Sequence, residues 1–166
     1  MTLTSHRGDT DLIRSAFGRF PSGVVALAAD AGGQPAVLVA SSFTVGVSLD
    51  PPLVLFSVRN ESTTWPRLRH SRRVGVSLLS ADQAELCRRL AGRDRGARFG
   101  DDPIERTSEG ALLFAGSPLW LDCSVFGEIP AGDHRVVLLE VHQLWQDNAV
   151  DPLIFHGSAF RRLEVA

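Results

Sequence analysis

Short apolar runs that end at turn-forming residues recur along the whole chain, and they restrict its fold more than any other feature. The runs cover residues 24–29, 36–40, 53–58, 74–79, 109–115, 119–128, 136–141 and 153–155. Runs of this kind, bounded by Gly, Pro, Asn and Asp, are typical of β-strands joined by hairpins. Helices are expected only near residues 12–20, 63–70 and 80–90. The pattern therefore predicts a mainly β protein, an antiparallel barrel with a few short helices.

Length and charge limit the class of protein. A chain of 166 residues can form one domain with a proper core. We expect a flexible tail at residues 1–10 and a single domain at residues 11–166. The net charge of −2 argues against non-specific binding to nucleic acid. No apolar run is long enough to span a membrane, so neither a nucleic acid nor a membrane is expected as a partner.

The two cysteines, Cys87 and Cys123, lie far apart in the sequence. Neither has the spacing to the other, or to a histidine, that metal sites use, so no metal is predicted. Both are expected to be reduced, buried thiols, which is typical of a cytoplasmic protein. Asp122, beside Cys123 in an apolar run, is expected at a strand position that faces the surface.

Hydroxyl side chains cluster where one apolar run ends. Ser41, Ser42 and Thr44 follow the run 36–40, and Asp50-Pro51-Pro52 stops the chain before the next run. Hydroxyls and turn amides near buried strand ends can accept an anion beside a dry wall, which would suit a phosphate attached to a flat aromatic ring. On their own, these residues are read more simply as polar residues at a strand end. A second hydroxyl cluster at residues 62–64 favours the binding interpretation.

No arrangement of catalytic side chains is evident. The sequence has no Ser-His-Asp or Cys-His pattern with supporting local context, and Asp101-Asp102 lies in a glycine- and charge-rich loop at residues 92–102. It also lacks a P-loop and a strand-linked G-x-G-x-x-G. A nucleophile or metal held by the protein is therefore not expected to drive the chemistry. Taken alone, His134 and His142 are interpreted as structural residues.

Several segments resemble a known family. They read VASSFTVGVSLDPPLVLFSV, NESTTWPRLRHSRRVGVSLL, IPAGDHR and PLIFHGSAFRRL, and the opening FGRFPSGVVALAA agrees with them. Together they resemble the flavin reductases that feed two-component monooxygenases, over roughly residues 12–163. The resemblance implies the FMN-binding split barrel, a homodimer, FMN or FAD as the flavin and NADH or NADPH as the hydride donor. It also implies a partner monooxygenase that receives reduced flavin.

The resemblance assigns roles to particular residues. Residues 41–44 would hold the ring edge, ribityl chain or phosphate of the flavin. Ser62 and Thr64 would bind phosphate at a helix start, and Trp65 would form the pocket floor. Arg98 becomes the best arginine for a phosphate contact, and His134 becomes a residue that positions nicotinamide. Besides the turn residues Ser41, Ser42, Phe43 and Thr44, the other residues expected to face a cofactor are Val39, Ala40, Ser48, Asn60, Phe99, His156, Phe160 and Arg161.

The chain departs from the family pattern at a few positions beside the expected flavin. Val25 stands where many members have threonine, Val37 and Val39 stand where many have G-x-T, and Phe160 replaces a tyrosine. The changes at Val25, Val37 and Val39 keep open a non-enzymatic flavin-binding protein, and a flavin-retaining oxidase or oxygenase of the same fold is the other alternative. FMN and FAD are not distinguished. Because no arginine pair is evidently committed to a 2′-phosphate, NADH is favoured over NADPH.

Overall fold

The computed structural model describes residues 2–164. Its helices are α1 (Thr10–Phe17), α2 (Trp65–Leu68) and α3 (Ala84–Leu90). Its strands are β1 (Ser22–Gly23), β2 (Val25–Asp30), β3 (Pro35–Ala40), β4 (Thr44–Leu49), β5 (Pro52–Arg59), β6 (Val74–Leu78), β7 (Ile104–Arg106), β8 (Leu112–Phe114), β9 (Leu119–Ala131), β10 (His134–Gln146), β11 (Ile154–His156) and β12 (Ala159–Arg161). The predicted mainly β architecture with a few short helices is confirmed.

Seven antiparallel strands, in the order β3-β2-β6-β9-β10-β5-β4, form the frame of the fold. β3 and β4 occupy opposite edges of this sheet, yet only residues 41–43 connect them. Such a connection spans at most about 14 Å, whereas a flat sheet of this size is about 29 Å wide. The sheet therefore curls until its edges meet. This curl makes the predicted barrel, and it places residues 41–43 at the closure.

β2 is buried on both faces, which explains its unbroken apolar run. Val25 and Leu27 point into the barrel and pack in the same cluster as Phe56. Ala26 and Ala28 face the other way, into an outer cluster to which α3 and β8 contribute. Because successive strand residues face opposite sides, a strand covered on both sides shows no alternation of apolar and polar residues.

β8 approaches the backbone of β6 closely at Gly75. A methyl group at Gly75 would lie 2.2 Å from the carbonyl oxygen of Leu112. The hydroxyl of Ser77 accepts a hydrogen bond of 2.9 Å from the backbone N–H of Phe114, which holds β8 in place. Only glycine therefore fits at this position.

Some predicted boundaries were wrong. α1 ends at Phe17, because after it the amides of Arg19 and Phe20 bond to carbonyls three residues back, at Ala16 and Phe17, so residues 18–20 form turns. The run 109–115 forms a strand only at Leu112–Phe114, which pairs with β7. β9 and β10 reach as far as Ala131 and His134, so the turn between them is shorter than the sequence pattern indicated.

The expectation for Asp122 was also wrong, since its side chain is only 7% exposed. It lies on the outer face of β9, beside the segment that carries Thr107, and Nε of Arg73 is 3.6 Å from its Oδ1. Burial raises the pKa of Asp122, and the positive charge of Arg73 opposes that shift. A covering segment distant in sequence, not the strand pattern, decides the burial of this side chain.

Both cysteines are buried and free, as expected. Burial, assisted by the charge of Asp122, raises the pKa of Cys123 to about 12. Burial also raises the pKa of Cys87. These thiols are therefore structural rather than nucleophilic. Within residues 2–164, no helix combines the length and the apolar character needed to cross a membrane.

Candidate functional site

Residues 39–44 lie where the two edges of the sheet meet. Ala40 is buried at the end of β3 and Val39 is half-buried. Phe43 packs against the barrel core and, together with Val25, lines a small cavity at the barrel end. Ser41 and Thr44 are exposed at this edge. The turn thus presents polar groups to solvent directly above an apolar wall.

Ser42 has a structural task at this turn. Its Oγ accepts a hydrogen bond of 3.0 Å from the N–H of Ser57 and donates one of 3.1 Å to the carbonyl of Ser57. The side chain therefore fastens the closing turn to β5, and Ser41 is better placed to contact a ligand. Ser48, which was predicted with this group, lies at the far end of β4, beyond a register shift that follows Thr44.

The second predicted cluster stands at the start of α2. The Oγ of Ser62 accepts a hydrogen bond of 3.1 Å from the N–H of Trp65, the first residue of this short helix. Thr64 is buried, and its Oγ1 lies 3.4 Å from Nη1 of Arg98. The same nitrogen of Arg98 donates to the carbonyl of Val37 at 3.1 Å, and its Nε donates to the carbonyl of Gly92 at 2.9 Å. Arg98 therefore joins the loop 92–102 to β3 and to α2.

Three arginines surround this helix start. Arg95 donates to the hydroxyl of Thr63, and Arg67 lies on α2 itself. Burial lowers the pKa of Arg98, and the charges of Arg95 and Arg67 lower it further. None of the three arginines forms a salt bridge with any carboxylate of residues 2–164. Positive charge concentrated beside hydroxyls and without a counter-ion suits a phosphate ligand. We call Arg67, Arg95 and Arg98 the loop arginine cluster.

Trp65 is 2% exposed, and its ring packs edge-on against Phe56 at 5.2 Å. Its Nε1 donates a hydrogen bond of 3.0 Å to Glu128, which also accepts one of 2.8 Å from Arg135. Burial of Glu128 opposes ionisation, but the bonds from Arg135 and Trp65 and the charge of Arg69 outweigh it and lower the pKa of Glu128. Trp65 therefore belongs to the barrel core and has no face free to stack on a ligand.

His134 opens β10, directly after the turn at residues 132–133. Its Nδ1 shares a hydrogen bond of 2.7 Å with Asp133 Oδ1, which lowers the pKa of that exposed carboxyl. Asn60 supports the turn by donating to the carbonyls of Gly132 at 3.1 Å and of Asp133 at 3.0 Å. His134 faces a groove of about 590 Å³ whose other wall is α1. The side chain is therefore held in place and remains accessible.

The C-terminal hairpin adjoins the end of α1, since the N–H of Gly157 donates to the carbonyl of Gly18 at 2.8 Å. The Phe160 ring is covered on one side by the guanidinium of Arg88 at 5.1 Å and meets Phe155 at 5.8 Å. Phe160 therefore packs between the hairpin and α3. His156 is half-buried and Arg161 is exposed on this hairpin, while Phe99 stacks on Phe114 at 6.2 Å in the outer layer.

The predicted residues thus fall into separate groups around the barrel. The start of α2 and the loop of Arg98 are joined by a direct contact, and Arg98 also donates to β3 at Val37, the strand that leads into the closing turn. His134 lies beyond Asn60, next to Arg59, which faces it across β5 and β10. Sequence reasoning missed Arg59 and Arg95, together with the groove wall formed by α1. A basic residue at the end of β5, three residues before Ser62, was the signal that could have indicated Arg59.

A family model described as "Flavin reductase like domain" matches residues 17–164. The chain therefore belongs to the flavin reductase-like family, and the resemblance noted in its sequence is confirmed. An NADH-dependent flavin reductase from a Rhodococcus species is 36% identical over 99% of this chain and 95% of its own length. A flavin reductase from Pseudomonas putida is 31% identical over 92% of this chain and 89% of its own length.

Solved structures agree with this assignment. An NADH:FAD oxidoreductase from Streptomyces globisporus superposes with a TM-score of 0.89 at 33% identity, and the match covers 99% of this chain and 98% of that one. The flavin reductase component of a bacterial two-component tryptophan halogenase superposes with a TM-score of 0.85 at 31% identity, covering 95% and 100%. The predicted split-barrel fold is thereby confirmed.

Proposed function

We propose that the chain is an NAD(P)H:flavin oxidoreductase that passes a hydride from NADH, or from NADPH, to FMN or FAD. The reduced flavin then leaves for a partner monooxygenase. The observation that carries the proposal is the loop arginine cluster, which lacks carboxylate partners and stands beside the hydroxyls of residues 62–64. Several relatives support the same reaction by name, among them the NADH-dependent flavin reductase cited above. The halogenase reductase component supports delivery of reduced flavin to a second protein.

The residues of the chain bind the two cofactors, orient their rings and exclude water from the site. Arg95 and Arg98, with the hydroxyls of Thr63 and Thr64, hold a flavin phosphate at the start of α2. Ser41 and the amides of the closing turn contact the ribityl chain or ring edge, and Val39 with Phe43 supplies an apolar wall. His134 positions the nicotinamide. Bound flavin supplies the two-electron acceptor, so no nucleophile or metal of the protein is required.

The function is tested by following the absorbance of NADH in air with purified protein and either FMN or FAD. Rapid loss of NADH that requires added flavin supports the proposal, and the two rates give the flavin preference. Flavin binding without NADH oxidation, measured as quenching of flavin fluorescence, would contradict it. That outcome would favour a flavin carrier or an oxidase of the same fold.

The protein is proposed to work as a homodimer. β4 is an edge strand and exposes Val45, Val47 and Leu49, and the end of β10 exposes Leu144 and Trp145. Large apolar side chains left exposed on several strands of one sheet are typical of a surface that a second subunit covers. Light scattering is expected to give a mass near twice the 18.0 kDa of one chain. A monomeric mass at micromolar concentration would rule the dimer out.

We place the protein in the cytoplasm. Its two cysteines are free and buried, which fits a reducing compartment. NADH as the hydride donor is consistent with the same location.

Replacement of His134 by alanine is expected to raise the KM for NADH about fivefold to tenfold, the usual worth of one hydrogen bond. The affinity for flavin should stay unchanged, because His134 lies on the other side of the Asn60 turn from the loop arginine cluster. Steady-state rates at varied NADH, with flavin titrations by fluorescence, measure both quantities. An unchanged KM and kcat would show that His134 does not contact nicotinamide.

A further inference from the structure

The groove in front of His134 has two walls, and the function described above uses only His134 among their residues. One wall is the end of β5 and the β9-β10 turn, which contribute Arg59, Asp133 and His134. The other wall is α1, which contributes Arg14 and Phe17. The groove has a volume of about 590 Å³, larger than a nicotinamide ring alone would need.

Several charged groups surround this groove. Arg59 and Arg14 stand on opposite walls, and Asp133 is engaged by His134. Arg14 also lies 3.5 Å from Asp11, but these side chains are 76% and 91% exposed, so solvent weakens their pairing. Arg59 forms no salt bridge within residues 2–164. The groove can therefore accept an anion between two arginines.

α1 presents apolar surface as well as charge. None of its residues is buried, and Phe17 is 70% exposed even though it lines the groove. An exposed aromatic ring beside two arginines matches a ligand that carries both a flat ring and phosphates. A dinucleotide has this composition, whereas inorganic phosphate has no ring.

The groove and the loop arginine cluster lie on either side of one turn. Arg59 ends β5, and the N–H of Ser62 donates to its carbonyl at 3.0 Å. Ser62 in turn accepts a hydrogen bond from the first amide of α2, where the flavin phosphate is proposed to bind. The turn therefore offers space for one anionic ligand on each of its two faces.

We propose that Arg59 and Arg14 bind the phosphates of the nicotinamide dinucleotide, with Phe17 packed against one of its rings. The assignment rests on the proposed function, because it takes the hydride donor as the occupant of the groove. In this arrangement α1 is a wall of the substrate site. Arg59 and Arg14 are binding residues, and they determine how well the enzyme distinguishes NADH from a donor without phosphates.

The test compares two hydride donors, NADH and 1-benzyl-1,4-dihydronicotinamide, which has the same reactive ring and no phosphate. Arg59→Ala is expected to raise the KM for NADH about threefold to fivefold, because the group is exposed and solvent limits the worth of its contact to about 1 kcal/mol. Arg14→Ala is expected to act in the same direction. Neither variant should change kcat/KM for the benzyl donor. Arg106→Ala, which removes an arginine paired with Asp30 on another face, is the matched control and should leave both donors unaffected.

Each outcome decides the proposal. If Arg59→Ala leaves the KM for NADH unchanged, the phosphates bind elsewhere. If both donors lose activity equally, Arg59 acts on folding or on flavin rather than on phosphate. Direct titration of NADH, followed by its fluorescence, separates this result from failure of the proposed function. A native protein that binds NADH without oxidising it would contradict the reductase activity, and the Kd of Arg59→Ala would still decide the assignment of the groove.

Discussion

Gly75→Ala is expected to destabilise the fold by about 3 kcal/mol or more, because overpacking against backbone cannot be relieved by a rotamer change. The new methyl carbon would lie 2.2 Å from the carbonyl oxygen and 2.8 Å from the carbonyl carbon of Leu112. β8 cannot retreat without breaking the Ser77–Phe114 hydrogen bond and exposing buried side chains. Urea unfolding followed by tryptophan fluorescence measures the change as a lower midpoint.

Gly127→Ala is the matched control for this prediction. Gly127 lies in β9 of the same sheet, but a methyl group there would meet no atom within 4 Å. Its free energy of unfolding should lie within about 0.5 kcal/mol of the native value, so its midpoint should be close to that of the native protein. Equal midpoints for the Gly75 and Gly127 variants would show that β8 does not press on β6.

Arg98→Ala is expected to weaken FMN binding about tenfold to hundredfold, the usual range for a hydrogen bond to a charged group. The substitution removes the charge nearest to Thr64 and also releases the carbonyls of Val37 and Gly92. Arg98→Lys keeps the charge but loses the planar fork that reaches several acceptors, so an intermediate affinity is expected. Quenching of flavin fluorescence gives the Kd of each variant.

Riboflavin separates the two roles of Arg98, because it has the ring and the ribityl chain of FMN without the phosphate. If Arg98 binds phosphate, Arg98→Ala should change riboflavin affinity far less than FMN affinity. Arg93→Ala, in the same loop and exposed, should leave both unchanged. An equal loss for FMN and riboflavin would assign Arg98 to holding the loop 92–102 in place, and the phosphate site would have to be sought elsewhere.

The strands of the barrel were predictable where burial on one or both faces leaves an apolar run, as in β2, β3, β5 and β6. The β7-β8 hairpin was not, because Ile104–Arg106 is a short strand with one apolar residue. The burial of Asp122 was missed for a related reason. Its cover comes from the segment of Thr107, and sequence periodicity reports only on the strand that carries the residue.

The candidate site was predictable to the extent that its residues stand in recognisable segments. The hydroxyls at 41–44 and 62–64 and the arginine at 98 were all singled out. Arg59 and Arg14 were missed, because a single arginine at a strand end or on a helix resembles any solvated charge until the fold brings the two together. Sequence also could not show that Ser42 is occupied by the backbone of β5, or that Phe160 is covered by Arg88.

The short connection between β3 and β4 links ligand affinity to the stability of the whole fold. Residues 41–43 adopt their arrangement only when the two edges of the sheet are together, so the flavin contacts proposed for this turn exist only in the closed barrel. A flavin that binds only the closed form therefore adds RT ln(1 + [flavin]/Kd) to the free energy of unfolding. Under the proposed release of reduced flavin, the protein spends part of each turnover without this support, and the hydrogen bonds of Ser42 to β5 and the packing of Phe43 against the core then hold the seam closed.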